Sequence, residues 1–294
     1  MTDTSISHRR KDGKLAAPLA RHPRGRWRVG VALAVAGLAV GLLVYRLTTG
    51  RSGAKVKTNA RDALSYVWIA PGEFWMGATP GDSDGDKSEL PRHRVKLTKG
   101  FWIGQTLVTA AAYNRFLQQH PERTRPPAPR FNPGWSKDDH PAVNVNWYDA
   151  SAYCEWIGGR LPAEAEWEFA ARAGKDGLKF PWGSEIAPAK ANYRESDWKG
   201  TSPVRNYPPN AWGLYDMAGN AWEWVADWYA EGYYATLPSA NPAENPSGPG
   251  QPTGLRATRG GAWSRAASFL RAAQRGRTGP ESRFADIGFR CVQE

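Results

Sequence analysis

Seventeen uncharged residues, mostly Val, Leu, Ala and Gly, run unbroken from 29 to 45, and nothing else in the chain matches that run. As a helix it spans about 25 Å at about 1.5 Å per residue, slightly less than a hydrocarbon core of about 30 Å. Arg28 and Arg46 flank it and can extend their charges outward, and Trp27 and Tyr45 stand where interfacial aromatics belong. The pattern predicts a transmembrane signal-anchor helix over 29–45, a basic tail over 1–28 and a polar linker over 46–64. Eight basic residues precede the run and four follow it before residue 58. This bias predicts a single-pass protein with a cytoplasmic N-terminus and an exported, periplasmic or extracellular, body. A cleaved signal peptide and a buried core helix are the alternatives. Arg46-Leu47-Thr48-Thr49 makes a poor cleavage site, and the flanking arginines disfavour a core helix.

Beyond residue 64 the pattern changes to short alternating segments punctuated by Gly and Pro. Strands are predicted at 66–69, at 73–77 after a Pro71-Gly72 turn, at 94–97, and at 101–103 after Lys99-Gly100. Helical spacing of Ala112, Tyr113, Phe116 and Leu117 behind a Thr109 cap predicts a helix over 110–119. A second helix is predicted over 147–157, capped by Asn146 and ended by Gly158-Gly159. A third should start at Pro162, a favoured first helical position, and continue to Gly174, with Glu164 and Glu166 near its positive end. Residues 121–141 and 238–254 read as long Pro-rich loops. The reading is α+β and loop-rich.

Charge changes the picture only through its location. The formal net charge is +11, but residues 1–57 hold twelve of the 39 bases and two of the 28 acids, leaving +1 for the rest. A nucleic-acid-binding body is therefore not expected.

Candidate chemistry is sparse. Asp82-Ser83-Asp84-Gly85-Asp86 imitates a calcium loop but has Lys87 where the turn glycine belongs and His93 where the bidentate Glu belongs. His93, His120 and His140 are isolated in sequence. Cys154 and Cys291 can form a disulfide in an oxidising compartment or serve as a thiolate pair. The stretch 216–224 brings two carboxylates, Asp216 and Glu223, to either side of a Gly-Asn turn whose carbonyls can point inward, a mixture that suits calcium. Asn192, Tyr193 and Asp197 form a second candidate set.

A series of motifs carries a family resemblance. Pro71-Gly72-Glu73-Phe74-Trp75-Met76-Gly77, Gly159-Arg160-Leu161-Pro162-Ala163-Glu164-Ala165-Glu166-Trp167-Glu168, Phe180-Pro181-Trp182-Gly183, the stretch 210–224, Arg259-Gly260-Gly261-Ala262-Trp263 and Ile287-Gly288-Phe289-Arg290 occur in order over 65–294. That body resembles the formylglycine-generating enzyme, or sulfatase-modifying factor, superfamily. The resemblance implies a C-type-lectin-like fold and two structural Ca2+ sites. One would use Asn192, the Tyr193 carbonyl and Asp197; the other Asp216, the Gly219 and Ala221 carbonyls, and Glu223. It also implies a Cys154–Cys291 disulfide. The genuine enzymes bind copper through two cysteines after a Gly-Gly-Ser motif; here those positions are Arg265 and Leu270, and the serine is Ala262. Leucine has no ligating atom and arginine stays protonated, so copper-dependent formylglycine generation is not expected.

Two functions compete on this basis. One is a divergent oxidoreductase acting on a peptide or small molecule, with a pocket near Trp222, Ser264, Arg265, Ser268 and Arg271. The other is a non-catalytic, lectin-like ligand-binding or regulatory module of an envelope or secretion complex. Neither reading involves nucleic acid, and the membrane partner is the N-terminal helix.

Overall fold

The computed structural model describes residues 54–294. The anchor expected over 29–45 lies outside those residues. Among the described residues no helix is long and apolar enough to cross a membrane.

Among the described residues, three small sheets and three short α-helices make up most of the regular structure. The first sheet has the order β1-β2-β5-β11, formed by β1 (Val56–Thr58), β2 (Ser65–Ile69), β5 (Phe101–Gly104) and β11 (Val292–Gln293). The second has the order β10-β6-β8-β9, formed by β10 (Ile287–Phe289), β6 (Trp222–Trp228), β8 (Arg256–Arg259) and β9 (Arg275–Thr278). A third combines β3 (Gly72–Met76), β4 (His93–Leu97) and β7 (Ala243–Glu244). β10 lies parallel to β6, with Ile287 opposite Trp222.

The four strands expected between residues 66 and 103 form with ends shifted by one residue. The chain joins the fold earlier than the linker reading of 46–64 allows. β1 pairs with β2, Val56 opposite Val67, and Asp62 is fully buried. The Asp62 carboxylate accepts from Tyr66 Oη at 2.8 Å, Tyr153 Oη at 3.1 Å and the Leu64 amide at 2.9 Å. Burial pushes its pKa up against those hydrogen bonds.

Helix α1 (Ala110–Gln119) starts where Thr109 Oγ1 accepts from the Ala112 amide. Helix α2 (Trp147–Trp156) opens with a reciprocal cap between Asn146 and Asp149. Helix α3 (Glu164–Arg172) begins two residues after Pro162, because Ala163 is still extended (φ −63°, ψ 153°). The Glu166 carboxylate accepts from the Ala163 amide at 2.8 Å and so fixes that start. The helix stops at Ala173, whose φ of 48° is left-handed.

Aromatic residues fill the core. Tyr113 stacks on Trp135 and on Tyr153, and Phe289 closes on both tyrosines edge-on. Cys154 on α2 is bonded to Cys291, with Cα atoms 5.4 Å apart. Beside this core lies a buried charge network. Glu168 accepts from Arg172 Nε at 2.8 Å and from Arg259, and Glu164 receives both arms of Arg275 at 2.7 and 2.9 Å.

Candidate functional site

β8 is followed by Gly260-Gly261, with φ of 96° and 72°. A side chain on Gly261 would meet the Phe269 carbonyl at 2.5 Å, so only glycine allows the 262–270 loop to fold back here. Three backbone bonds anchor the loop. Trp263 N donates to Asn220 O at 3.1 Å, Arg265 N to Ala262 O at 3.0 Å, and Arg194 N to Arg265 O at 2.9 Å.

The loop presents a mixed face. Ser264 donates to Asp286 Oδ2, and Arg265 Nη2 lies 3.4 Å from the same oxygen. Arg265's side chain is about half exposed, so most of its donors remain available. Trp263 meets Phe131 edge-on and Phe269 meets the edge of Trp222. Phe269 and Phe284 are exposed at 40% and 48%.

The five residues expected to line one pocket divide into two groups. Ser264 and Arg265 share the face, and Trp222 lies beneath it at 5% exposure. Ser268 is half-buried and its carbonyl accepts from Arg271 Nε at 2.9 Å. Arg271 is not available to a ligand. It is 2% exposed and clamps Glu89 through both Nη atoms at 2.6 and 2.8 Å, with Asp82 at 3.3 Å. Asp82 therefore belongs to an ion-pair cluster, and Asp86 caps the 87–89 turn through Ser88 N. Leu270, expected at the position of the enzymes' second cysteine, is fully buried against Phe180, Tyr193 and Ala218. Asp286, Phe269 and Phe284 escaped the sequence reading. Asp286 reaches Ser264 and Arg265 from some 20 positions along the chain, which no local motif announces.

The two expected calcium sets behave differently. Asp216 takes a left-handed φ of 55° and is buried. Among the described residues its carboxylate accepts hydrogen bonds only from the Arg205 amide at 3.1 Å and Asn220 Nδ2 at 3.5 Å. Burial pushes its pKa up to about 6, more than the Arg205 amide and Arg290 can offset. Such a desolvated carboxylate suits a bound cation. Gly219 and Ala221 lie in the same turn. Glu223 is already engaged: Arg290 Nε and Nη2 donate to its two oxygens at 2.6 and 2.7 Å, and Trp167 Nε1 adds a third bond at 2.9 Å. In the Asn192 set the Asn192 side chain is already engaged. Ser196, rather than Asp197, reaches Asn192 Oδ1, at 2.6 Å. Asn192 Nδ2 donates to Gly200 O at 2.9 Å, Tyr193 is buried, and Asp197 is exposed. Among the described residues no group of three or more His, Cys, Asp or Glu is arranged to hold a metal.

These features match known proteins. The chain is 41% identical over 246 residues to serine/threonine-protein kinase Pkn1 of Chlamydia trachomatis, a match covering 78% of this chain and 38% of the kinase. It thus spans about two fifths of that relative's length. It is 33% identical to the formylglycine-generating enzyme of Streptomyces coelicolor, covering 80% of this chain and 90% of the enzyme. Its structure superimposes on PvdO from Pseudomonas aeruginosa with a TM-score of 0.72 at 30% identity, over 83% of this chain and 100% of PvdO. For Treponema denticola variable protein 1 the TM-score is 0.65 at 25% identity, over 82% of this chain and 98% of that protein. The model of the sulfatase-modifying factor enzyme 1-like domain matches residues 52–294. With its double-glycine loop and Gly-Phe-Arg ending in their expected places, the chain belongs to the sulfatase-modifying factor, formylglycine-generating-enzyme-like family.

Proposed function

We propose that the domain is a ligand-binding module, exported and held to the membrane by its N-terminal segment, and that its 262–270 face binds without oxidising. One observation supports this reading: at the two positions that the resemblance sets against the enzymes' copper-binding cysteines, Arg265 is half-exposed and Leu270 is fully buried. The chain's two cysteines are joined to each other. The thiolate set that Cu(I) requires does not fit these residues. The match to part of Pkn1 supports a module that accompanies another activity. The alternative, a divergent oxidoreductase, shares the face but would need a redox centre other than thiolate-bound copper.

The full-length protein supplied with copper is expected to leave the thiol of a Cys-x-Pro-x-Arg peptide intact by mass spectrometry and to consume no oxygen. A photo-crosslinker replacing Phe269 should capture one discrete envelope partner, and Arg265→Glu should abolish that capture. Thiol loss or oxygen uptake would refute the reading.

Calcium has a structural role in the same proposal. The Asp216 carboxylate would hold the ion with the Gly219 and Ala221 carbonyls, neutralising a buried charge. Calcium at about 100 times its Kd should stabilise the protein by about 2.7 kcal/mol. Asp216→Asn should remove that gain while leaving the calcium-free melting temperature level or higher. A calcium response unchanged in Asp216→Asn would show that the ion binds elsewhere.

A further inference from the structure

The fold pairs its buried arginines with glutamates. Arg172 and Arg259 meet Glu168, Arg271 meets Glu89, Arg275 meets Glu164 and Arg290 meets Glu223. Arg256, the first residue of β8, is held differently. Its Cζ lies 3.5 Å from the centre of the Trp228 ring and 3.7 Å from that of Trp147. Two indoles at such distances cannot share one side of a planar group, so they clamp the guanidinium from both faces. Among the described residues its one hydrogen bond goes to a backbone carbonyl and no carboxylate stands within ion-pair distance.

The clamp is rigid before any ligand arrives. Trp228 faces Arg256 across the β6–β8 ladder. Trp147 opens α2, and its amide donates to Pro280 O at 2.9 Å and its Nε1 to Val225 O at 2.8 Å. Arg256 Nη1 donates to Ala226 O at 2.6 Å. Nε is sealed from solvent without a partner. Nη2 also has no partner among the described residues, but it is not sealed. One charged donor is thus fixed in place and left open.

The surrounding charge defines what it lacks. Among the described residues Tyr148 and Asp227 are the only other titratable groups that bear on Arg256. Burial lowers the Arg256 pKa, and neither group restores it. In Arg259 and Arg271 burial acts the same way, but the acids beside them overcome it. Asp227 is itself buried, which pushes its pKa up to about 8, so it carries little charge at neutral pH. The guanidinium stays protonated and can only donate. Its missing partner is a negatively charged acceptor. Tyr148 stands beside the clamp, 45% exposed, with its ring edge-on to Trp147 at 5.5 Å.

We propose that Arg256 and Tyr148 form a binding site for a small organic oxyanion, a carboxylate, sulfate ester or phosphate ester carried on an apolar or aromatic body. The oxyanion accepts from Arg256 Nη2, and the body lies against the Tyr148 ring. The site is independent of the 262–270 face and of the function assigned to that face.

Nitrogen–proton NMR of the full-length protein tests this through the indole signals of Trp147 and Trp228, which lie against the binding group. At constant ionic strength, phenylacetate, phenyl sulfate or phenyl phosphate should move both signals saturably, and the strongest of the three identifies the anion. Phenylacetamide, which has the shape of phenylacetate without the charge, should bind at least tenfold more weakly than phenylacetate. Acetate, inorganic sulfate and inorganic phosphate should each bind more weakly than their phenyl counterparts, and Tyr148→Ala should remove that difference. Arg256→Met, which keeps an unbranched chain between the indoles, should weaken binding at least tenfold. The comparison of phenylacetate with phenylacetamide needs no variant and stands even where Arg256→Met does not fold. No saturable shift with any of the three phenyl anions, equal binding of phenylacetamide, or binding retained in folded Arg256→Met would overturn the proposal.

Discussion

Glu168→Ala is expected to destabilise the domain by about 3–5 kcal/mol, the usual cost of removing one partner from a buried charge network. Glu168 is fully buried and answers three donors: Arg172, Arg259 and the Gly77 amide at 3.0 Å. Its loss leaves Arg259, itself fully buried, with two backbone carbonyls and only the more distant Glu164 carboxylate, at 3.5 Å, to offset a charge that water cannot reach. Burial alone would push the Glu168 pKa up, but the Arg172 and Arg259 charges outweigh it and hold the pKa below the usual value. The sign follows from linkage. A depressed carboxylate pKa contributes stability above its unfolded value of about 4.5, and that contribution is lost as pH falls through the folded pKa. Urea denaturation should therefore show Glu168→Gln well below the native protein at pH 7, with the gap narrowing below pH 4. A constant gap would show that packing, rather than charge, causes the loss.

Breaking Cys154–Cys291 ranks second. The bond spans 137 positions, and a loop of that size corresponds to about 4–5 kcal/mol in the chain-entropy treatment. Cys291→Ser, or a reducing agent under native conditions, should lower the denaturation midpoint with little change at the 262–270 face. Cys291 lies one residue before β11, so the strand is expected to exchange its amide protons faster once the bond is cut. A midpoint unchanged by reduction would mean that β11 is held by its pairing to β5 alone.

How much of this was readable in the sequence depended on how local the cause was. Thr109 and Asn146 announced α1 and α2 because capping is decided within a few residues. The start of α3 was misplaced because Glu166, not Pro162, fixes it through the Ala163 amide. β8 and β9, for which no strand is expected from the sequence, carry arginines inward: Arg259 and Arg275 are buried where distant glutamates neutralise them. The same cause removed Arg271 from the expected pocket: Glu89 lies 182 positions away, and nothing near Arg271 indicates the pairing. At Asn192 the difference is one residue, with Ser196 facing inward and Asp197 outward. Loop register at that scale has no periodic signal to read.

The first sheet has a consequence for timing. Its strand order places β2 between β1 and β5, and β5 beside β11. Residues 56–58 and 292–293 thus belong to one hydrogen-bonded unit. During synthesis the first three strands emerge early, but their sheet keeps an open edge until some 190 more residues have followed (β5 ends at Gly104 and β11 begins at Val292). Pairings of such long range form slowly. A chain that cannot close its first sheet until its last strand arrives stays unfinished, and threadable, for nearly the whole of its passage from the ribosome.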